Sequence, residues 1–456
     1  MKRIYPVMLL SAIVGLTACN DDDTKTTEID KPVAMTQIRV IHAGVDAPLV
    51  NVNANGAAIL SDVDYAQSSG FLTVPVDTYS IGVDAQLADS SVTQVLSAEL
   101  DAMEDMEYTA VALGKVADDS LQLKLIANPV NEIASGYARV QVLHGASGVG
   151  LVDVYVTAPD EDISAMSPTL SANFLDASAQ LELLAASYQI RITASGDKTA
   201  VFDSGPVTLE ANKDYFISAI PNAWSGDAPV ALLVALKDAD VLLLDNMAGS
   251  DVRAIHAVAD APAVDIFLDG SATPAVDMLS FGSATEYLNV PEGAHTITVA
   301  ADADNSVVVI DDAPVTLAKG SSYSVFAVGS LTDADIAPLV LQDDVRAVAT
   351  EAKLNVIHGS YSAGNVDVYL TSSADISDAA PTLTDVPFKA ASGALSVVPG
   401  DYVVTVTPTG DKTAAIGPLD ISLAAGGIYS VAAVDAAGGG APLGVILMDD
   451  FTASSQ

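Results

Sequence analysis

The sequence predicts an all-β fold of four tandem antiparallel β-sandwich domains, Ig-like in their strand spacing, and three observations carry that expectation. One phrase occurs four times, as RVIHA at 39–43, QVLHG at 141–145, RAIHA at 253–257 and NVIHG at 355–359. Its histidines His42, His144, His256 and His358 lie 102, 112 and 102 residues apart, which is one domain length per copy. Between them, Val, Ile, Thr and Tyr alternate with small or polar residues in runs such as YSIGVD from Tyr79, YQIRIT from Tyr188, HTITVA from His295 and YVVTVT from Tyr402. That period of two is the signature of half-buried strands, and Gly, Pro, Asp and Asn punctuate the runs at turn spacing.

Taken in order, the chain opens with a positive head, Lys2 and Arg3, followed by an apolar stretch from Ile4 to Leu16 and the sequence Leu16-Thr17-Ala18-Cys19. The apolar run is shorter than the ~20 residues a bilayer-spanning helix needs. The pattern resembles a bacterial lipoprotein signal, residues 1–18, and the resemblance implies cleavage before Cys19 and lipid on that cysteine. In the sorting rule for Gram-negative lipoproteins, Asp directly after the cysteine retains the protein in the inner membrane; Asn20 stands there instead, which implies delivery to the outer membrane. Residues 19–35 then form the lipidated cysteine and an acidic tether, of which Asn20 to Met35 spans ~55 Å at full extension. Cys19 is the single cysteine. No internal disulfide is possible, so each domain must be held by its own core, and no thiol remains for catalysis or a cysteine metal site.

The four domains are expected at 36–134, 135–250, 251–349 and 350–456, in two flavours. Copies one and three share VDAPLVNVNANG after His42 and ADAPAVDIFLDG after His256; copies two and four share LVDVYVTAPDEDIS with NVDVYLTSSADIS, and later SGDKTA at 195–200 with TGDKTA at 409–414. His42 to His256 and His144 to His358 are both 214 residues, which indicates that a two-domain unit was duplicated as a block. Near each domain's end, Tyr108, Tyr215, Tyr323 and Tyr429 enter a strand, where a ring in the core with its hydroxyl on a nearby carbonyl would form a tyrosine corner.

The HA-x-x-DAP-x-V-D phrase, the P-x-G turn (Pro291-Glu292-Gly293, and Pro399-Gly400 shifted), the late G-x-x-Y-[ST]-V phrase and the closing apolar strand ending in Asp resemble the bacterial domain of unknown function numbered 4397. The resemblance covers nearly all of Thr36 to Asp450, as four copies. It implies an exported or surface-anchored β-domain with no assigned activity. Copy two departs from it most, with Leu184-Ala185-Ala186-Ser187 in place of the P-x-G turn.

The histidines decide between chemistry and architecture. Nine residues after each comes Asn51, Asp153, Asp265 or Asp367. If the chain turns back between them, imidazole and acid face each other on neighbouring strands, fastening a hairpin and raising the histidine's pKa. A transition-metal site needs three or four ligands, and each copy offers one histidine; no Ser or Thr recurs at a fixed offset on a strained turn and no G-x-S-x-G occurs, so no catalytic residue is assigned and the chain is read as a non-enzyme. His295 replaces the tyrosine of the other copies, which argues for ring shape at that place. No cofactor is expected beyond weak calcium candidates in Asp302 and Asp304 and the Asp238–Asp240 pair. The GDKT sequences at 196–199 and 410–413 read as hairpin turns.

A formal net charge of −41, with 18 Lys and Arg against 59 Asp and Glu, excludes nucleic acid and disfavours anionic membrane surfaces. The membrane is therefore reached through the N-terminal lipid alone. The expected function is display of four modules, as a short rod, for weak multivalent binding of protein or glycan. A ligand-free spacer and a periplasmic or surface hydrolase are the alternatives.

Overall fold

The computed structural model describes residues 33–453; the signal segment, Cys19 and most of the tether lie outside the described residues. Within them the chain is all-β but for one helical turn at Asp450–Ala453, and its strands form eight sheets, two per copy. In the third copy one sheet has the order Leu288–Val290, Ser250–His256, Ser322–Ser330, Asp335–Asp343, and the other the order Val276–Leu279, Val264–Leu268, Gly293–Ala301, Asp304–Leu317. The remaining copies repeat this arrangement, with a fifth strand added to the histidine-bearing sheet in copies one and two.

The sandwiches are not purely antiparallel. Each histidine strand pairs in parallel with the strand that carries the late tyrosine, and in every copy the histidine lies opposite an alanine: Ala112, Ala219, Ala327 or Ala433. The parallel pair follows from the path of the chain, which leaves the histidine sheet after its first strand, crosses back once to lay a short antiparallel strand on one side of it, completes the other sheet, and returns to the first strand's other side running the same way. All other pairings within the sheets are antiparallel.

Period-two alternation assigns each face of the histidine strand. Val40, Val140 and Leu354 point into their own sandwich cores, while Ile41, Leu143, Ile255 and Ile357, the residues just before the histidines, point out of them. The outward face is buried too. Ile41, Val111 and Leu113 of copy one pack with Leu143, Phe216 and Leu233 of copy two; Ile255, Phe326 and Val328 of copy three pack with Ile357, Ala432 and Met448 of copy four. Both faces of the histidine sheets are therefore buried, and the strands read as near-continuous apolar runs for that reason.

The expected rod of four beads is thus replaced by two face-to-face pairs. The pairs also touch each other. Ser225 donates its N–H to the Gly320 carbonyl at 3.1 Å, and Lys319 Nζ reaches the Asn246 carbonyl at 3.3 Å. From the segment between copies three and four, Arg346 donates to the carbonyls of Val45 (3.2 Å) and Ala47 (2.9 Å) and to Asp64 (2.7 Å), which ties that segment to copy one.

Candidate functional site

The four histidines sit where the chain leaves its first sheet for its second. Each ring is buried, and each Nε2 bonds a main-chain carbonyl six residues on: Pro48 (3.1 Å), Gly150 (3.1 Å), Pro262 (2.9 Å) and Gly364 (2.7 Å). In copies one and three Nδ1 accepts the N–H two residues on, from Gly44 and Val258, both at 3.3 Å; this fixes Nε2 as the protonated nitrogen. The imidazole therefore bridges both ends of the inter-sheet crossover. Desolvation lowers His42 to about 4, helped by the nearby Arg346 cation, and lowers His256 as well. The neutral ring is the form favoured at His42 and His256.

The expected cross-strand carboxylate pair is not formed, and at His42 and His256 the predicted rise in pKa is reversed. The reason is topological: residues nine apart lie in different sheets, so they do not face one another. Asp153 and Asp367 instead receive the N–H of Gly196 (2.8 Å) and Gly410 (2.9 Å), the left-handed glycines that open the two GDKT turns. Asp265 accepts from Met278 N–H, and Asn51 from Asp62 N–H and the Gln86 amide. The two phrases that distinguish copies two and four are thus one physical unit. Its lysines finish it, since Lys198 and Lys412 lie 4.5 Å over the rings of Tyr155 and Tyr369 and donate to carbonyls of the adjoining loop.

An aromatic ring that the sequence did not single out stands edge-on to each histidine: Tyr65, Phe174, Phe281 and Phe388, with centroids 6.2–6.5 Å away. The residue after each of them is in the left-handed region and donates its N–H to the histidine's own carbonyl. The signal was present: the aromatics follow their histidines by 23, 30, 25 and 30 residues, repeating the alternation of flavours.

The late tyrosines form corners, but with the hydroxyl as acceptor. Tyr108, Tyr215, Tyr323 and Tyr429 each receive the N–H of the residue five earlier, at 2.9–3.1 Å, and Tyr108 also donates to the Asp101 carbonyl. At the other aromatic position Tyr79, Tyr188 and Tyr402 donate to the carbonyl four residues earlier, and His295 Nε2 takes up the same bond with Pro291 at 2.8 Å. A second bond, Nδ1 to Asp269 at 2.7 Å, raises the His295 pKa.

Among the acids, Asp302 gathers with Asp265 and Asp277 rather than with Asp304, which accepts from Ser306 within its own turn. Oxygens of the three lie within 4.8 Å of one another, a hard-donor set of the kind calcium uses, and the neighbouring charges hold Asp277 above the usual carboxylate range. In copy one the corresponding places are Asn51 and Gln86, whose amide supplies the hydrogen bonds instead. Asp240 turns the other way and accepts from Ser68 N–H across the first interface.

Where copies two and three meet, a cleft of about 640 Å³ opens to solvent. Asp227, Asp245, Asp251, Tyr287 and Asn289 supply its polar lining and Met247 an exposed thioether. It lies at a junction between modules and belongs to the size range of small-ligand sites.

The family model for the domain of unknown function DUF4397 matches residues 36–155, 250–369 and 372–456. No curated protein matches the chain. Two of the matched regions begin at a histidine strand and run through the next copy's histidine to its following strand, so each covers the first member of a face-to-face pair and the opening strands of the second. With these regions covering most of its length, the chain belongs to the DUF4397 family.

Proposed function

We propose that this chain is a non-catalytic cell-envelope protein, anchored by lipid on Cys19 in the outer membrane, which presents its modules for weak binding of protein or glycan. The observation that carries the binding reading is the cleft between copies two and three, whose carboxylates, amide and tyrosine could accept hydrogen bonds from hydroxyl-rich or amide-bearing ligands. Supporting the non-catalytic part, all four recurring imidazoles are buried with Nε2 on a main-chain carbonyl; Nδ1 accepts a main-chain N–H in copies one and three and is enclosed in copies two and four, so none of these rings is presented to solvent as a general base. The face-to-face pairing weakens the spacer alternative, because four modules stacked in pairs reach less far than four strung end to end.

The test has two arms. Glycans and envelope extracts are presented to the purified chain and to the variant Asp227→Asn, Asp251→Asn; binding that drops at least tenfold in the variant, at unchanged melting temperature, supports the cleft. Equal binding by both removes it. Incorporation of labelled palmitate that disappears in Cys19→Ala supports the anchor, and protease shaving of intact cells separates surface from periplasmic display.

A further inference from the structure

The four sandwich cores are not filled alike. The cores of copies one, two and three each form one continuous cluster, whereas that of copy four is split in two: Val366, Val368, Val406, Ile416 and Ala433 on one side, Ala352, Leu354, Leu423 and Tyr429 on the other. Between them lies a cavity of about 200 Å³, against about 50 Å³ in copy two and about 70 Å³ in copy three. Register locates two differences from copy two. Ile192 of copy two lies opposite Phe202, a fully buried ring; the corresponding Val406 of copy four lies opposite Ile416. Ala219 lies opposite Leu232, and its counterpart Ala433 opposite Val445.

The lining is hydrocarbon apart from Thr382 and Ser396, and the Thr382 hydroxyl is already occupied by the Leu370 N–H at 3.1 Å. No charged side chain lines it. A space of this size and polarity does not hold water well: an apolar cavity of ~150 Å³ in another protein stays dry and takes up benzene or xenon. Leu419 and Leu447, 38% and 44% exposed, belong to the lining and mark the way in, and Phe451 of the terminal helical turn forms part of the wall.

We propose that the interior of copy four is a binding site for a small uncharged apolar ligand, of benzene size or a short length of hydrocarbon chain. Burial of each further methylene tightens binding about fourfold until the cavity is full, since the transfer is worth ~0.8 kcal/mol per methylene. The site is separate from the cleft and does not depend on it.

Titration of the purified chain with benzene, toluene and ethylbenzene, followed by methyl NMR and by melting temperature, tests this. The expected result is saturable shifts confined to methyls of copy four, a raised melting temperature, and tighter binding along the series. Ile416→Phe, which restores the ring that copy two has, should abolish the shifts while raising the melting temperature of the free protein. Val445→Leu, a smaller filling that restores Leu232's side chain, should weaken binding and keeps the test open if the larger ring is not accommodated. No saturable shift in the wild-type chain, or equal shifts in a folded filled variant, overturns the proposal.

Discussion

The two face-to-face interfaces use an arginine at the same place in the same phrase, and they use it in opposite ways. Arg39, three residues before His42, crosses from copy one to copy two. Its guanidinium is held between the rings of Phe71 and Phe216 (4.5 and 4.9 Å), and it donates to the Ala235 carbonyl and Thr109 hydroxyl, both at 3.1 Å. Burial lowers its pKa to about 10. Arg253, three before His256, crosses from copy three to copy four and meets a carboxylate, with Nη1 and Nη2 on Asp449 at 2.6 and 3.2 Å and Nε on Ser324. Burial opposes its charge, but the Asp449 hydrogen bonds win and its pKa is raised; Asp343, 3.9 Å away, is pushed up by its own burial. The two copies share the reach of the side chain and differ in the chemistry that receives it. In copies two and four the position holds Gln141 and Asn355, so the arginine marks the first member of each pair.

The contrast predicts unequal costs for one substitution. Arg253→Met removes the cation that the largely buried Asp343 side chain faces and both hydrogen bonds to the partly buried Asp449, and should cost about 3–5 kcal/mol, because removing one member of a buried ion pair leaves the desolvation penalty of the other. Arg39→Met puts a flexible apolar chain between two rings, and no carboxylate hydrogen-bonds that guanidinium, so its loss should stay below about 2 kcal/mol. Denaturant unfolding of both variants measures this; equal losses would break the comparison.

Acid sharpens it next. His42 is neutral in the folded chain down to about 4, whereas the unfolded residue takes its proton near the ordinary 6.5. Stability is therefore complete above pH 6.5 and falls as the pH drops from there towards 4, by about 3 kcal/mol for a displacement of this size. His42→Gln should flatten that limb of the pH–stability curve, at a constant cost of roughly 1–3 kcal/mol for the lost crossover bond. The same limb retained in His42→Gln would show that another group governs it.

The corners provide a reference that should not distinguish the pairs. Tyr215→Phe and Tyr429→Phe each remove a hydroxyl from a main-chain N–H and should each cost about 1 kcal/mol. A large difference between them would mean that the two sandwiches are less alike inside than their interfaces are outside.

How much of this was legible in the sequence depends on the range of the interaction. Module number, strand content and the two flavours follow from the repeated phrase and its alternation, because period two is a local property. The histidine partner was misread since it depends on whether nine residues make a hairpin or a crossover, and local turn signals such as Asp46-Ala47-Pro48 fit both. The interface was written in Ile41, Leu143, Ile255 and Ile357, yet an apolar residue on each face says only that both are covered. What covers them is a contact between copies about 100 residues apart, which no single copy's pattern contains. The flanking rings were missed for a related reason: an isolated aromatic carries no periodicity, and only alignment of all four copies exposes it.

The smallest expected effect concerns a histidine outside the repeat. His295 makes the bond that tyrosine makes in the other three copies, to the carbonyl four residues earlier, and adds a pair with the half-exposed Asp269. That pair raises its pKa, so its contribution has the opposite sign to that of His42: it is present in acid and fades as the pH rises through the folded value. His295→Tyr keeps the carbonyl bond and gives up the ion pair. At pH 8 the variant should unfold at the same urea concentration as the parent, and at pH 5 only slightly earlier, because solvent screens an exposed pair. Loss at pH 8 as large as at pH 5 would mean that the imidazole serves the third copy through its shape after all, and that the exposed carboxylate beside it contributes nothing.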